Sequence, residues 1–211
     1  MKTKKERSKK KNYLKFISNV LILSGVLVIG LIFYSPVVQE IKYRLRTVVL
    51  NPKYIIHNTK YKEENIVPVS TDFGIVIPKI NANAKIFYNV NPYDKKEFLP
   101  VLKKGVAHAK GTFFPGGGKN IYLFAHSTDA FYNAGSYNAV FFLIGKLNKG
   151  DEIDIYYKGQ LFKYFVFEKK VVGPQATEYL KHTNEEILTL QTCYPPGTTL
   201  RRLIVFAKLS S

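Results

Sequence analysis

The only cysteine of the protein, Cys193, lies near the C-terminus between two apolar segments rich in β-forming residues. These segments, residues 187–192 and 203–209, flank a Pro-Pro-Gly sequence, which predicts a hairpin with a longish loop. Antiparallel pairing places the end of the first strand beside the start of the second. We therefore expect the thiol near Arg201 or Arg202, and a neighbouring cation favours the reactive thiolate. The alternative is a buried, inert cysteine that packs as a small hydrophobe.

Histidine commonly transfers protons for such a nucleophile, and the sequence contains four histidines. His126 follows the apolar residues 120–125 and precedes a polar stretch, which predicts a position at the mouth of a β-strand. Taken alone, a histidine there is more often structural than catalytic. His57 lies in a polar linker and His182 in a charged stretch, and we assign no role to either.

The net charge of +17 is distributed unevenly along the chain. Residues 1–15 carry eight Lys or Arg and one Glu, whereas residues 16–39 carry no charge. The apolar centre of that uncharged stretch is about long enough to cross a bilayer. Because no small-residue cleavage site follows it, we expect a retained signal anchor and not a cleaved signal peptide. The basic end should remain in the cytoplasm, which places the rest of the chain outside the cell.

The excess positive charge has two possible explanations, nucleic-acid binding or contact with an anionic surface. A basic chain can bind nucleic acid, but no nucleic-acid-binding motif accompanies the charge here. An anionic membrane or cell-wall surface fits the basic N-terminal tail better. In an exported protein, a single cysteine also indicates a free reactive thiol, because it has no partner within the chain.

The pattern of apolar residues divides the chain into four parts. Residues 1–15 form a basic cytoplasmic tail, and residues 16–35 form a transmembrane signal anchor. Ser35-Pro36 predicts a break, followed by a juxtamembrane helix and linker over 36–69. The folded domain covers 70–211, where short apolar runs alternate with turn signals and predict a β-barrel or sandwich with few helices. The runs are residues 74–80, 85–90, 120–125, 152–157, 161–172, 187–192 and 203–209, and short helices are expected within 92–103 and 139–147.

Three separated segments resemble conserved blocks of one family, the sortases. Thr189-Leu190-Gln191-Thr192-Cys193 is similar to the signature T-L-x-T-C, and Arg202 is similar to the arginine that opens the family's next strand. Residues 77–80 resemble the first strand of sortases, which often reads I-P-K-I. Residues 105–126 resemble a block that runs G-V-x-H, then a P-G turn, then a strand that ends in the catalytic histidine. The three blocks occur in the family's order behind a signal anchor.

The resemblance implies a mainly β fold, a sortase-like eight-stranded β-barrel with short helices, preceded by one transmembrane helix. It implies a cysteine transpeptidase in which Cys193 attacks a peptide carbonyl and His126 transfers protons to and from the amines. Arg202 would hold the substrate and stabilise oxyanion charge, and Thr192 would contact the substrate or the oxyanion. His108, the first histidine of its block, would be structural. The chemistry needs no metal or other cofactor, and the scattered carboxylates do not predict a calcium site.

The family's partners give the expected substrates. One is a surface protein whose C-terminal sorting motif is similar to L-P-x-T-G, and the other is an amine on a cell-wall precursor or a pilin. Because no D-P-aromatic lid motif precedes the barrel, we prefer a wall-anchoring enzyme, nearest to class D/E or housekeeping sortases, over a pilus polymerase. An alternative function is a membrane-anchored extracellular β-barrel that binds a partner without catalysis.

The sequence also departs from the family pattern beside the histidine. Ala125 stands where the family often has glycine, so the backbone there is less free. Ser127 stands where an arginine or asparagine is common, so we expect no contact from such a longer side chain there.

Overall fold

The computed structural model describes residues 4–49, 66–127, 140–181 and 183–210. His57, His182 and residues 50–65 of the predicted linker lie outside the described residues. The chain divides into two compact units, Met1–His57 and Asn58–Ser211.

The described part of the first unit is one helix, α1, which spans Lys4–Val49. Its segment Tyr13–Gly30 is long and apolar enough to cross a membrane, with a mean hydropathy of 1.8. The break predicted at Ser35-Pro36 does not occur, because both residues are helical. Proline removes one amide donor from a helix, but the remaining backbone bonds of this long helix continue on both sides of it.

The second unit is a barrel of eight strands, which confirms the predicted β-barrel. Going around the barrel, the strand order is β1-β2-β3-β4-β7-β8-β6-β5, and β5 pairs with β1 to close it. The strands are β1 Phe73–Ile77, β2 Ala82–Val90, β3 Val106–Ala109, β4 Ile121–Phe124, β5 Glu152–Tyr157, β6 Gln160–Val172, β7 Ile187–Tyr194 and β8 Arg201–Leu209.

Two differences from the predicted elements have a local cause. β1 ends at Ile77, and Pro78 begins a 3-10 turn over Pro78–Ile80, so the proline lies outside the strand. A proline has no amide hydrogen for the ladder, which explains why the strand stops before it. β3 was not predicted as a separate strand, because its four residues contain a histidine and two alanines and show no β-forming run.

The barrel contains two parallel strand pairs, β2 with β3 and β4 with β7. Parallel neighbours need a crossover connection. Between β2 and β3 this connection contains α2, Lys95–Leu102, whose N-terminus is capped by Asp94 accepting a hydrogen bond from the Lys96 amide. β5 and β6 separate β4 from β7 in the sequence. The strand that carries the histidine thus meets the strand that carries the cysteine only in the closed barrel.

The barrel has apolar cores on both sides of its wall. Fully buried aliphatic residues from several strands, such as Ile75, Ile86, Leu123 and Leu190, fill the barrel. Burying each such side chain stabilises the fold by about 1.5–3 kcal/mol. A second cluster forms where α2 and the 3-10 turn Glu178–Leu180 cover the outer side of β3 and β4. Its buried members are Val90, Leu102, Ala107, Ala109, Tyr122 and Phe124.

Candidate functional site

The register of β4 with β7 decides where His126 lies. The paired residues run from Ile121 with Leu188 to Phe124 with Gln191. The ladder continues past the end of β4, since the Ala125 amide donates to the Gln191 carbonyl at 3.2 Å. Extending the same register by two residues beyond Phe124 sets His126 level with Cys193. Neighbouring strands lie about 4.7–4.9 Å apart, so the two residues are neighbours across the sheet.

The register of β7 with β8 places the arginines. Cys193 pairs with Arg202, and Tyr194 pairs with Arg201. Directly opposed residues point to the same face of a sheet, and adjacent residues on one strand point to opposite faces. Arg202 therefore shares a face with Cys193, and Arg201 does not.

Three residues form a row in which Cys193 of β7 lies between Arg202 of β8 and His126, two residues past the end of β4. The row lies on the outer side of the barrel, because the face that carries Phe124 is covered there by Phe98 of α2 at a ring distance of 6.0 Å. All three residues of the row are half-buried. The Cys193 side chain is therefore half-buried between a histidine and an arginine and is not enclosed in the core.

Three polar residues of the Thr189–Cys193 segment bind β4 or its flanking residues and so hold this register. The Thr189 hydroxyl donates to the side-chain oxygen of Asn120 at 2.8 Å. The Tyr122 hydroxyl donates to Oε1 of Gln191 at 2.5 Å. The Thr192 hydroxyl donates to the carbonyl of Ala125 at 3.0 Å. The leucine of this segment, Leu190, is fully buried in the core.

Thr192 lies beneath the row and not in it. Its side chain points to the face opposite Cys193, is 4% exposed, and is bonded to the carbonyl next to His126. The resemblance to sortases implies that Thr192 contacts the substrate or the oxyanion. The hydroxyl instead joins the backbone of His126 to the backbone of Cys193.

Hydrogen bonds connect the turn between β7 and β8 to Arg202 on one side of the cysteine and to Ser127, next to His126, on the other. Nη1 of Arg202 donates to the carbonyls of Thr199 at 3.1 Å and Arg201 at 3.0 Å. These bonds use Nη1 alone, and the guanidinium has further donors on Nε and Nη2. The Gly197 amide donates to the hydroxyl of Ser127 at 3.4 Å, and Ser127 is 3% exposed. Ser127, which directly follows His126, therefore binds the turn that precedes Arg202.

His108 lies at a different place in the barrel and is fully buried. Its Nδ1 accepts a hydrogen bond from the Asn89 amide at 3.3 Å, and its Nε2 lies 2.9 Å from the Phe113 carbonyl. These partners define a neutral ring with the proton on Nε2. The ring stacks on Phe114 at a centroid distance of 4.4 Å. Burial lowers the pKa of His108 below its ordinary value, and the bond to Phe113 opposes this in part.

Tyr122, whose hydroxyl donates to Gln191 beside the row, has a shifted pKa. Burial raises its pKa far above the ordinary value for tyrosine, and the positive charge of Arg202 counteracts part of that rise. The charges of Tyr93 and Glu178 add smaller upward contributions. The phenol is therefore a neutral hydrogen-bond donor throughout the physiological range.

Two further features lie away from the row. An open cleft of about 640 Å³ is lined by Asn89 and residues 111–117, beside the loop between β3 and β4. It includes none of His126, Thr192, Cys193 and Arg202. Among the described residues, no group of three or more His, Cys, Asp or Glu side chains is arranged to hold a metal ion.

Two side chains make contacts that no sequence motif predicts. Gln191 occupies the variable position of its segment, so the motif itself said nothing about its contact with Tyr122. Glu186 accepts hydrogen bonds from the amides of Gly116 and Gly118 at 3.1 and 2.8 Å and from the Tyr164 hydroxyl at 2.5 Å. A glutamate before an apolar run carries no signal of a contact with a loop seventy residues away in sequence.

Comparison with known proteins places the barrel in a family. The family model described as the sortase domain matches residues 75–210. Sortase D of Bacillus subtilis (strain 168) is 31% identical over 137 residues, which cover 63% of this chain and 60% of that protein. The chain thus spans about 60% of the length of this curated relative.

Solved structures give the same result. The Clostridium perfringens Sortase D5 transpeptidase is 30% identical, with a TM-score of 0.54 over 70% of this chain and 84% of that chain. Clostridium perfringens sortase C, solved with the C-terminal cell wall sorting motif, is 27% identical, with a TM-score of 0.54 over 84% of this chain and 90% of that chain.

Proposed function

Because the chain belongs to the sortase family, whose members are cysteine transpeptidases, we propose that it is a transpeptidase with Cys193 as its nucleophile. The observation that carries the proposal is the row of His126, Cys193 and Arg202 on three neighbouring strands. The site thus contains a thiol, a proton-transfer group and a fixed cation on one face of the barrel.

In the proposed reaction, the Cys193 thiolate attacks the carbonyl carbon of the scissile peptide bond. The carbonyl oxygen becomes an oxyanion, which Arg202 stabilises with donors on its guanidinium. The C–N bond then breaks, His126 protonates the departing amine, and a thioacyl-enzyme remains. An incoming amine loses a proton to His126, attacks the thioester carbonyl and releases the Cys193 thiolate. Protons and electron pairs balance over the cycle, and side chains carry each step without a metal.

Thr192 has a supporting part in this proposal. Its bond to the Ala125 carbonyl holds the backbone of His126 beside the strand of Cys193. We propose that this bond keeps the imidazole of His126 within reach of the amine that leaves or attacks the acyl group on Cys193, because proton transfer needs about 2.6–3.2 Å or one bridging water.

The substrates we propose are a surface protein with a sorting motif similar to L-P-x-T-G and an amine of a cell-wall precursor or pilin. Support comes from the structural similarity to Clostridium perfringens sortase C, which was solved with a cell wall sorting motif. We favour wall anchoring over pilus polymerisation, because the sequence shows no D-P-aromatic lid motif before the barrel.

We also propose that α1 anchors the enzyme in the membrane with its N-terminus in the cytoplasm. The apolar segment Tyr13–Gly30 follows a strongly basic tail, and Lys/Arg excess marks the cytoplasmic side. Protease treatment of intact cells should therefore remove the barrel and leave the anchor. Protection of a C-terminal tag in that experiment would contradict this orientation.

The decisive experiment incubates the full-length protein in detergent with a library of sorting peptides and several amines. Mass spectrometry should detect a thioacyl adduct on Cys193 and then products that carry the amine. Cys193→Ala is the matched control and should give neither, because the chain has no second thiol. If peptides bind to the parent and to Cys193→Ala alike and no product forms, the protein is the binding module and not the enzyme.

A further inference from the structure

Gln191 lies on the outer face of β7 between the nucleophile and a covered part of the sheet. Three residue pairs follow one another there: Thr189 with Phe206, Gln191 with Ile204, and Cys193 with Arg202. Tyr179 of the 3-10 turn Glu178–Leu180 covers the first pair, with its ring 5.6 Å from that of Phe206. In the middle pair Ile204 is fully buried and Gln191 is half-buried, so Gln191 is the accessible member between the covered part of the sheet and Cys193.

The side chain of Gln191 is held from below. The Tyr122 hydroxyl donates to its Oε1 at 2.5 Å, across the diagonal between β4 and β7. Tyr122 is 2% exposed and its ring is part of the cluster beneath α2, so the hydroxyl has a fixed position. Because an amide is planar, this bond directs the two N–H groups of Gln191 away from Tyr122.

The polarity of this arrangement does not change with pH in the physiological range. Burial raises the pKa of Tyr122, so the phenol remains a donor and Oε1 of Gln191 remains its acceptor. Half of the Gln191 amide is thus used within the protein, and the half that remains consists of donors alone. A ligand group that meets it must accept a hydrogen bond.

We propose that Gln191 is a specificity-determining residue that donates a hydrogen bond from its side-chain amide to an acceptor on the peptide substrate. Gln191 is two residues from Cys193 on the same strand, and an extended peptide has the same rise of about 3.2–3.4 Å per residue as a strand. The acceptor therefore lies about two residues from the scissile carbonyl. The inference rests on the proposed transpeptidase function.

The remaining N–H donors of Gln191 make this position selective. A substrate acceptor that meets the half-buried amide finds a donor, whereas an apolar group that covers the amide leaves its N–H groups without a partner. A site built to donate a hydrogen bond discriminates against a substrate that lacks the acceptor, because the buried donor is then unsatisfied.

The test uses the full-length protein in detergent and peptides varied one position at a time on both sides of the scissile bond. kcat and KM are measured for the parent, Gln191→Leu, Gln191→Glu and Tyr122→Phe. Leucine removes the donors, glutamate replaces them with acceptors at the same size, and phenylalanine removes the bond that orients the amide. The rate of Cys193 alkylation by iodoacetamide is measured for each protein to show that the nucleophile is intact.

Gln191→Leu should raise KM about three- to tenfold for the peptide that the parent prefers, which corresponds to one lost neutral hydrogen bond. Its kcat and alkylation rate should stay within about twofold of the parent, and its preference should shift to apolar residues at a single peptide position. Gln191→Glu should reject the acceptor at that same position, and Tyr122→Phe should weaken the preference there.

Unchanged KM and an unchanged preference in Gln191→Leu would overturn the inference while leaving the transpeptidase function in place. If Gln191→Leu does not fold, Tyr122→Phe and Gln191→Glu decide in the same way, and an unchanged preference in both overturns it. Absence of any product from the parent would instead reject the proposed function and this inference with it.

Discussion

Two histidines, His108 within β3 and His126 just after the end of β4, lie in opposite environments. His108 is fully buried, stacks on Phe114, and bonds through both ring nitrogens. His126 is half-buried at the outer rim, level with Cys193. The residues on either side of His126 bond to the hairpin of β7 and β8, through the Thr192 hydroxyl and the Gly197 amide.

The difference shows how the same side chain serves two purposes. A ring whose two nitrogens are both bonded inside a core connects a strand to a loop, and proton transfer there would break those bonds. A ring at the end of a strand can exchange a proton with a bound amine, provided that its backbone is held in place. We therefore expect changes at His126 to affect chemistry and changes at His108 to affect stability.

The largest difference should appear between His126→Ala and His108→Ala. Loss of His126 should lower kcat about 10²–10⁴-fold, because the leaving amine loses its acid. His108→Ala should lower the unfolding temperature while the folded fraction retains kcat. Turnover per folded molecule, with the folded fraction from circular dichroism, measures both effects. A folded His108 variant without activity, beside an active His126 variant, would reverse the assignment.

The two arginines provide the next comparison. Arg202→Ala should lower kcat by a factor that corresponds to about 2.7–4 kcal/mol, the usual effect of losing one oxyanion donor. Arg202→Lys should recover little, because lysine provides a point charge and no planar fork. Arg201→Ala should stay within a few-fold of the parent, since Arg201 pairs with Tyr194 on the other face.

Turnover of the purified arginine variants on one peptide gives the answer. A severe defect in Arg201→Ala together with a mild defect in Arg202→Ala would move the catalytic role by one residue and contradict the observed register.

Variants of Thr192 test whether its hydrogen bond to the Ala125 carbonyl positions His126. Thr192→Val removes the hydroxyl from the Ala125 carbonyl, and a buried acceptor without its donor costs about 1–3 kcal/mol of stability. Because the bond also positions His126, we expect a fall in kcat that is larger than the change in KM for the peptide. Thr192→Ser keeps the hydroxyl and should restore kcat. Equal kcat in the Val and Ser variants would show that the bond does not position the histidine.

The smallest effect concerns the pH dependence of stability at His108. Its folded pKa lies below the ordinary value of 6.5, so the unfolded chain binds a proton first as the pH falls. The free energy of unfolding should therefore decrease as the pH is lowered from above 6.5 towards the folded pKa. His108→Gln should lack this component. Denaturant unfolding of both proteins at several pH values measures it, and parallel curves would contradict the assignment.

Short-range patterns in the sequence were sufficient for several elements of this protein. β5 matches the predicted residues 152–157, and β6 begins one residue before the predicted run, because each is bounded by a Lys-Gly turn signal. The hairpin that joins Cys193 to Arg202 is also local, since its two strands follow each other directly. The residue types and spacing in that hairpin were enough to predict an arginine beside the cysteine, and the register of the two strands pairs Arg202 with it.

The position of His126 beside Cys193 depends on the tertiary structure, because β4 and β7 are far apart in sequence and pair in parallel. The bond between Thr192 and Ala125 joins residues 67 positions apart, and that between Tyr122 and Gln191 spans 69 positions. The bond of Gly197 to Ser127 spans 70. Apolar periodicity indicates that a segment forms a strand, but the register between distant strands is set by hydrogen bonds and packing that form when the barrel closes.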